Sequence, residues 1–143
     1  MSESPKRPTG RMRRWAAALG TLGVVLAGVL TGAGTASATV YNGACGGGYG
    51  EIDHRDLPGG TVYLTYSGST GNNCVVTVRD KPGTPVFMNA WIRLSGTSDW
   101  NQDPGNFTTY AGPVYVRAPG QCVDWGGEIA GYWVTVLNSH CGR

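Results

Sequence analysis

The chain has 143 residues and a formal net charge of +2, but its basic residues are unevenly distributed. The first 38 residues hold five of the eleven Lys and Arg residues and one of the nine acidic residues, so residues 39–143 hold six and eight, a net charge of −2. The six basic residues are scattered, which excludes the basic patch that binding to nucleic acid or to an anionic membrane requires.

The first 38 residues have the three parts of a secretory signal peptide. A basic stretch over residues 1–14 precedes an uncharged apolar stretch over residues 15–33, and three small residues follow at 36–38. This order predicts export and cleavage between Ala38 and Thr39. The apolar stretch is nearly long enough for a retained membrane anchor, but its many Gly and Thr residues favour cleavage. We therefore expect a secreted, extracellular protein with no membrane attachment after signal removal.

The remaining residues, 39–143, have the length of one domain and contain four cysteines. An even number of cysteines in a short exported chain predicts two disulfides, and three pairings are possible. We favour Cys45 with Cys74 and Cys122 with Cys141, because each pair closes a short local loop; a Cys45–Cys141 link is the next alternative. The spacing does not fit a zinc site, since there is no Cys-x-x-Cys. We expect no metal and no cofactor.

Strands are predicted first in residues 61–67 and 73–79, where apolar residues recur at every second position, with a hairpin loop between them. No segment of residues 39–143 repeats the spacing of a helix over ten or more residues. The polar cluster at residues 53–56, Asp-His-Arg-Asp, is predicted to be a solvated turn rather than an acid–base or metal site, because neighbours in a strand point in opposite directions.

The longest predicted strand is residues 86–94, with Met88, Ala90 and Ile92 facing the core. Residues 95–106 are predicted to be a loop, residues 107–118 two short strands broken at Gly112-Pro113, and residues 122–125 and 132–137 a last pair of strands. The residues assigned to the core are Val62, Leu64, Val76, Val78, Met88, Ile92, Val114 and Val134. Six or seven short strands predict an all-β domain, a disulfide-stapled antiparallel β-sandwich or small barrel.

Five tryptophans in the chain include four in the predicted domain. We expect Trp125 and Trp133 to pack in the core. Trp91 falls on the polar face of its strand, and Trp100 lies in the polar loop, so both are candidate ligand-binding residues. The apolar face of a sugar ring stacks on an exposed indole, although core packing is an equal alternative for these two side chains.

Catalytic patterns are weak. No serine lies in a Gly-x-Ser-x-Gly elbow, and the chain has only two histidines, of which His140 is expected at the surface. Paired carboxylates for glycoside hydrolysis can be chosen among Asp99, Asp103, Asp124 and Glu128, as they can in any chain with eight acids. We expect that the protein is not an enzyme.

Five segments resemble the spore-associated protein A family of filamentous actinomycetes. They are YNGACG at residues 41–46, GTVYLTY at 60–66, NCVVTVR at 73–79, YAGPVY at 110–115 and CVDWGG at 122–127. The similarity covers nearly all of residues 39–143, with the four cysteines in register. The resemblance implies a small exported protein associated with the surface of spores or aerial hyphae, and it supplies no catalytic residues.

Three functions therefore remain open. The first is a non-enzymatic spore or hyphal surface protein held by non-covalent contacts. The second is a carbohydrate-binding module whose partner is a cell-wall or spore-surface glycan, stacked on Trp91 or Trp100. The third is a secreted inhibitor of an extracellular enzyme, for which small size and two disulfides are suitable.

Overall fold

The computed structural model of the protein describes residues 40–142. The predicted signal peptide, residues 1–38, and its cleavage site between Ala38 and Thr39 lie outside the described residues. The described part contains nine strands and no helix, and so no helix with the length and hydropathy of a membrane span. The strands are β1 (Gly50–Leu57), β2 (Gly60–Ser67), β3 (Asn72–Arg79), β4 (Val86–Leu94), β5 (Asn101–Gln102), β6 (Gly105–Phe107), β7 (Tyr110–Arg117), β8 (Val123–Ile129) and β9 (Tyr132–Ser139).

The strands form two antiparallel sheets. The first sheet has the order β1-β2-β3-β7, and the second has the order β5-β4-β8-β9 with β6 also paired to β4. Every strand pair is antiparallel. The two sheets pack face to face as a sandwich rather than a closed barrel, which confirms the predicted all-β class.

The main hydrophobic core lies between the two sheets. Its largest fully buried side chains come from both of them: Val62, Leu64, Val75, Met88, Ile92, Val123 and Trp125. Burying each of the aliphatic ones contributes about 1.5–3 kcal/mol relative to exposure. The strand β4 has the predicted orientation, with Met88, Ala90 and Ile92 inward.

A second, smaller core lies on the outer face of the first sheet. Residues 40–49 cover this face, and the buried members of the cluster are Cys45, Tyr63, Cys74, Val76 and Val78. The strands β2 and β3 are therefore buried on both faces. Val76 and Val78 are buried as predicted, but they belong to this outer cluster, and Val75 is the β3 residue packed in the main core. Val134, also predicted in the core, is only half-buried because β9 is an edge strand.

The structure links Cys45 to Cys74 and Cys122 to Cys141, across 29 and 19 residues of sequence. This is the pairing favoured by the sequence, and no free cysteine remains among the described residues. The first disulfide holds the N-terminal segment against β3. The second joins the start of β8 to the end of β9.

The polar cluster at residues 53–56 was wrongly predicted to be a turn, since it lies within β1. Charged residues suit β1 because it is an edge strand of the first sheet, with one side open to solvent. The predicted break at Gly112-Pro113 is also wrong. The strand β7 continues through these residues, and the extra length is taken up by an irregularity opposite Val75 and Thr77.

Two further boundaries differ from prediction. The predicted loop at residues 95–106 contains β5 and the start of β6, which are too short to produce a periodic signal. The last two strands extend to Ile129 and Ser139, so that only Ala130 and Gly131 form the turn between them. Both turn residues have positive φ, 50° and 88°, as two-residue hairpin turns require.

Candidate functional site

The outer face of the second sheet carries three tryptophans. Trp91 comes from β4, Trp100 from the segment just before β5, and Trp133 from β9. The strand register places Trp91 next to Gly126 of β8, and Gly126 next to Thr135 of β9. These residues share one face because side chains opposite each other in antiparallel strands point the same way.

Trp91 lies across β8 because Gly126 has no side chain. A Cβ at Gly126 would come within 2.6 Å of the indole nitrogen of Trp91 and 2.0 Å of the carbonyl oxygen of Val134. The next residue, Gly127, makes the corresponding space on the inner face, where a Cβ would come within 2.1 Å of the Thr77 hydroxyl. The pair of glycines therefore lets the indole lie on the outer face while the core packs closely below.

Trp100 is held by a buried ionic network. The guanidinium of Arg93 lies 4.1 Å from the centre of the Trp100 ring, a cation–π contact. Arg93 Nε donates to Asp124 Oδ2 at 2.8 Å. The other carboxylate oxygen, Oδ1, accepts from Ser95 Oγ at 2.6 Å and from the backbone N–H of Asn138 at 2.9 Å. Arg93 is thus fixed beneath Trp100.

Asp124 is the anchor of that network, with only 3% of its surface exposed. Burial works against its charged form, but the hydrogen bonds from Asn138, Ser95 and Arg93 outweigh burial and hold the pKa of Asp124 below its usual value. The carboxylate is therefore ionised at neutral pH and its oxygens are engaged in fixing the network.

A shallow pocket of about 270 Å³ lies between the two tryptophans. It is lined by Asn89, Trp91, Trp100, Gln102 and Thr135. Trp100 also borders a second pocket of about 450 Å³, with Gln102 and Tyr115 among its lining residues. Both hold amide groups beside aromatic rings, and the lining of the first contains no charged residue. A few polar groups placed beside an apolar surface are typical of ligand-binding sites.

The amide of Asn89 is positioned by the chain around it. Its Oδ1 accepts from the backbone N–H of Asp103 at 3.2 Å, and its Nδ2 donates to Gln102 Oε1 at 3.4 Å. Asn89 is 8% exposed, whereas Gln102 is exposed. The pocket thus has one fixed amide at its base and one accessible amide at its rim.

The structure brings together Trp91 and Trp100, the two residues predicted from the sequence to bind a ligand, and both are half-buried. Trp125 lies in the core as predicted, and its indole N–H donates to Ser139 Oγ at 2.9 Å. Trp133 was wrongly predicted in the core, since 67% of its surface is exposed. Strand alternation could have shown this, because an inward Val134 requires an outward Trp133.

A second polar cluster joins β1 to the chain after β9. Asp53 accepts a hydrogen bond from His140 Nε2 at 3.1 Å and another from Arg55. Burial of Asp53 opposes ionisation, but these bonds outweigh it and lower the pKa of Asp53. His140, expected at the surface, is half-buried with 15% of its side chain exposed. Across residues 40–142, no group of three or more His, Cys, Asp or Glu side chains is arranged to hold a metal ion.

The four carboxylates considered for hydrolysis lie in different settings. Asp124 is buried in the Arg93 network, and Asp103 Oδ2 accepts from the backbone N–H of Gly112 at 2.7 Å. Asp99 is exposed, and Glu128 is half-buried on the outer face. The hydrogen bonds of Asp103 and Asp124 give both a structural role.

The chain is similar over most of its length to spore-associated protein A from Streptomyces coelicolor. The two are 44% identical over 138 residues, which covers 92% of this chain and 90% of that protein. The name of this relative records an association with spores and no chemical activity. No protein-family model and no solved structure matches the chain.

Proposed function

The chain belongs to the family of spore-associated protein A, and from this premise we propose that it is a secreted, non-enzymatic protein of the spore or aerial-hypha surface that attaches to a neutral polysaccharide. The observation that carries the proposal is the pocket that Trp91 and Trp100 share on the open outer face of the second sheet. The export signal predicted in residues 1–38 supports the location.

The chemistry of the pocket suits a sugar ring. One face of a pyranose is a row of C–H groups that packs on an indole, and aromatic contacts of this kind contribute about 0.5–1.5 kcal/mol. The sugar hydroxyls need donors and acceptors, which Asn89, Gln102 and Thr135 supply. Because none of the lining residues is charged, the pocket favours a neutral sugar over a uronic acid or a phosphorylated one.

The shape of the site favours a polymer over a free monosaccharide. The pocket is a shallow depression on a sheet face, and Trp100 separates it from a second depression with similar polar lining. A chain of sugars can lie across both, with successive rings on the two sides of Trp100. Each contact is weak, so attachment depends on several rings of one polysaccharide binding together.

Co-sedimentation with isolated spore and hyphal wall polysaccharide tests the proposal. We expect Trp91→Ala and Trp100→Ala to weaken binding several-fold, because each removes one stacking surface, while the melting temperature changes little. Phe87→Ala is the matched control, since Phe87 is 45% exposed on the same face of the same strand and does not line the pocket. Wild-type protein that sediments with no polysaccharide, or a Trp91→Ala variant that binds like wild type, would overturn the proposal.

A further inference from the structure

The edge strand β9 has no charged residue, which is unusual for an exposed edge. Soluble proteins protect such edges with charges, prolines or bulges, because an open row of backbone N–H and C=O groups pairs readily with another strand. The other edge strand on this side of the sandwich, β1, is protected in this way and carries Glu51, Asp53, His54, Arg55 and Asp56. Within residues 40–142, no strand pairs with the outer edge of β9.

The side chains of β9 are also apolar where they are exposed. Tyr132, Trp133 and Leu137 are exposed by 56%, 67% and 58%. The strand has one irregularity, a bulge at Leu137 and Asn138 opposite Asp124, which leaves residues 132–136 regular. Three large exposed apolar side chains on an uncharged edge strand are typical of an interaction surface. The open backbone edge and the exposed apolar side chains of β9 therefore fit a partner that supplies both backbone hydrogen bonds and apolar side chains.

We propose that β9 pairs with β9 of a second copy of this chain, antiparallel, with Thr135 on the two-fold axis. The sequence around Thr135 is symmetric in character, Trp-Val-Thr-Val-Leu from 133 to 137. Antiparallel pairing about Thr135 places Trp133 opposite Leu137 of the partner subunit on the outer face. It places Val134 opposite the partner's Val136 on the inner face. Such a self-complementary contact is what a closed two-fold dimer requires.

Charge and area both fit a second copy. Because β9 is uncharged, pairing two copies of it places no like charges opposite each other. Two edge strands that carry protective charges would repel each other where like charges meet. With ~150–250 Å² for a full aromatic side chain, the three exposed side chains account for roughly 800 Å² in the pair, to which the two backbones add. The total area buried in the pair is then close to about 1,200 Å², which is the lower limit for specific complexes. The dimer is therefore weak and forms where the protein is concentrated.

Pairing would join the two second sheets into one continuous sheet. Five strand spacings of about 4.8 Å separate β4 from the partner's β4, so the two Trp91 side chains would lie roughly 24 Å apart on the same face. The pairing itself does not depend on the proposed glycan binding. If both hold, one polysaccharide can occupy both pockets, and the second binding step becomes intramolecular.

Charge-swap variants test the pairing by sedimentation equilibrium of the oxidised, secreted protein over a concentration series up to the millimolar range. Wild type should approach twice the monomer mass at the upper end. Thr135→Lys and Thr135→Glu should each stay monomeric, because two like charges would meet at the axis. An equal mixture of the two variants should recover the dimer, because Lys then faces Glu. Recovery in the mixture also shows that both variants are folded.

Two controls complete the experiment. Thr109→Lys adds the same charge at an exposed position outside β9 and should dimerise like wild type. Leu137→Glu should block dimerisation without changing the pocket lining, so its retained binding to polysaccharide separates a failure of pairing from a failure of the glycan proposal. Wild type that stays monomeric throughout, a Thr135→Lys variant that dimerises normally, or a mixture without recovery would each refute the pairing. Assembly beyond the dimer would refute the closed two-fold arrangement.

Discussion

The two sheets of this sandwich differ in how far their outer faces are covered by the rest of the chain. The first sheet is covered on its outer face by residues 40–49, so β2 and β3 are buried on both sides. The second sheet leaves its outer face open and places Trp91, Trp100 and Trp133 there. The segment over residues 40–49 thus adds buried apolar area to the first sheet, whereas the outer face of the second sheet keeps its aromatic side chains partly exposed.

The largest expected effect comes from the core that both sheets share. Ile92→Asp should prevent folding, because it buries an unpaired charge in a domain whose whole stability is only about 5–15 kcal/mol. Secretion and circular dichroism of the variant measure this. Phe87→Asp, on the exposed face of the same strand, should be secreted and folded. A folded Ile92→Asp variant would show that the two faces of β4 are assigned wrongly.

Uncovering the first sheet should have the next largest effect. Replacing both Cys45 and Cys74 by Ser frees residues 40–49 and removes the constraint on the unfolded chain, at a cost of about 3–4 kcal/mol for a loop of this length. Urea unfolding measures the loss. Polysaccharide binding below the melting temperature should be retained, since the open face belongs to the other sheet. Loss of binding by a folded variant would mean that the two faces are not independent.

A smaller effect is expected from the network beneath Trp100. Asp124→Asn removes a buried charge that three donors share, and we expect a loss of about 2–4 kcal/mol, with Arg93 left without its anion. The variant should also bind polysaccharide more weakly, because Arg93 no longer fixes Trp100. Urea unfolding of both variants measures the loss of stability. If Asp124→Asn lost no more stability than the exposed control Asp99→Asn, the role of the network would be contradicted.

The pH dependence of stability follows from the same residue. The pKa of Asp124 is lowered in the folded protein, so its contribution is fully present above the unfolded-state pKa of about 3.9 and is lost as pH falls through the lower folded-state pKa. Asp53 contributes in the same direction. Wild-type stability should therefore decline below about pH 4, and the decline should be shallower in Asp124→Asn.

The smallest expected effect is that of replacing Trp133, the exposed tryptophan of β9, and the buried Trp125 of β8 is the contrasting control. Trp133→Ala should change the stability of the monomer by less than about 0.5 kcal/mol, as exposed substitutions usually do. Trp125→Ala should cost about 3–5 kcal/mol, because it leaves a cavity in the core. Equal losses for the two variants would contradict the exposed position of Trp133.

Six of the nine strands described in residues 40–142 were predicted, β2, β3 and β4 by period-two alternation and β7, β8 and β9 from the turn residues that separate them. Alternation also assigned the inward face of β4 correctly, with Met88, Ala90 and Ile92 in the core.

Alternation gave the wrong inward face for β3, because the apolar face with Val76 and Val78 lies under residues 40–49. The more polar face packs on the main core with Val75, and its Thr77 hydroxyl donates to the carbonyl of Asn89. Alternation missed β1, whose charged residues are tolerated only at a sheet edge, and it missed β5 and β6, which have two and three residues.

The candidate site was partly predictable. Trp91 could be placed on the polar face of β4 from alternation alone. Trp100 could be named as a candidate because it lies in a polar segment that was predicted to be a loop. That the two share one pocket could not be predicted, because it depends on the pairing of β5 with β4 and on the space at Gly126. The network could not be predicted from a local sequence pattern either, because Asp124 lies 31 residues from Arg93 in the sequence.

The disulfide between Cys122 and Cys141 gives the β8–β9 hairpin the form of a covalent ring. The chain leaves Cys122 along β8, turns at Ala130 and Gly131, and returns along β9 to Cys141, where the bond closes it. An edge strand tied at both ends cannot detach and exchange with a neighbouring molecule. A protease that cuts the exposed turn leaves two fragments that separate only after reduction, so the uncharged edge keeps its place in the sheet even in nicked protein.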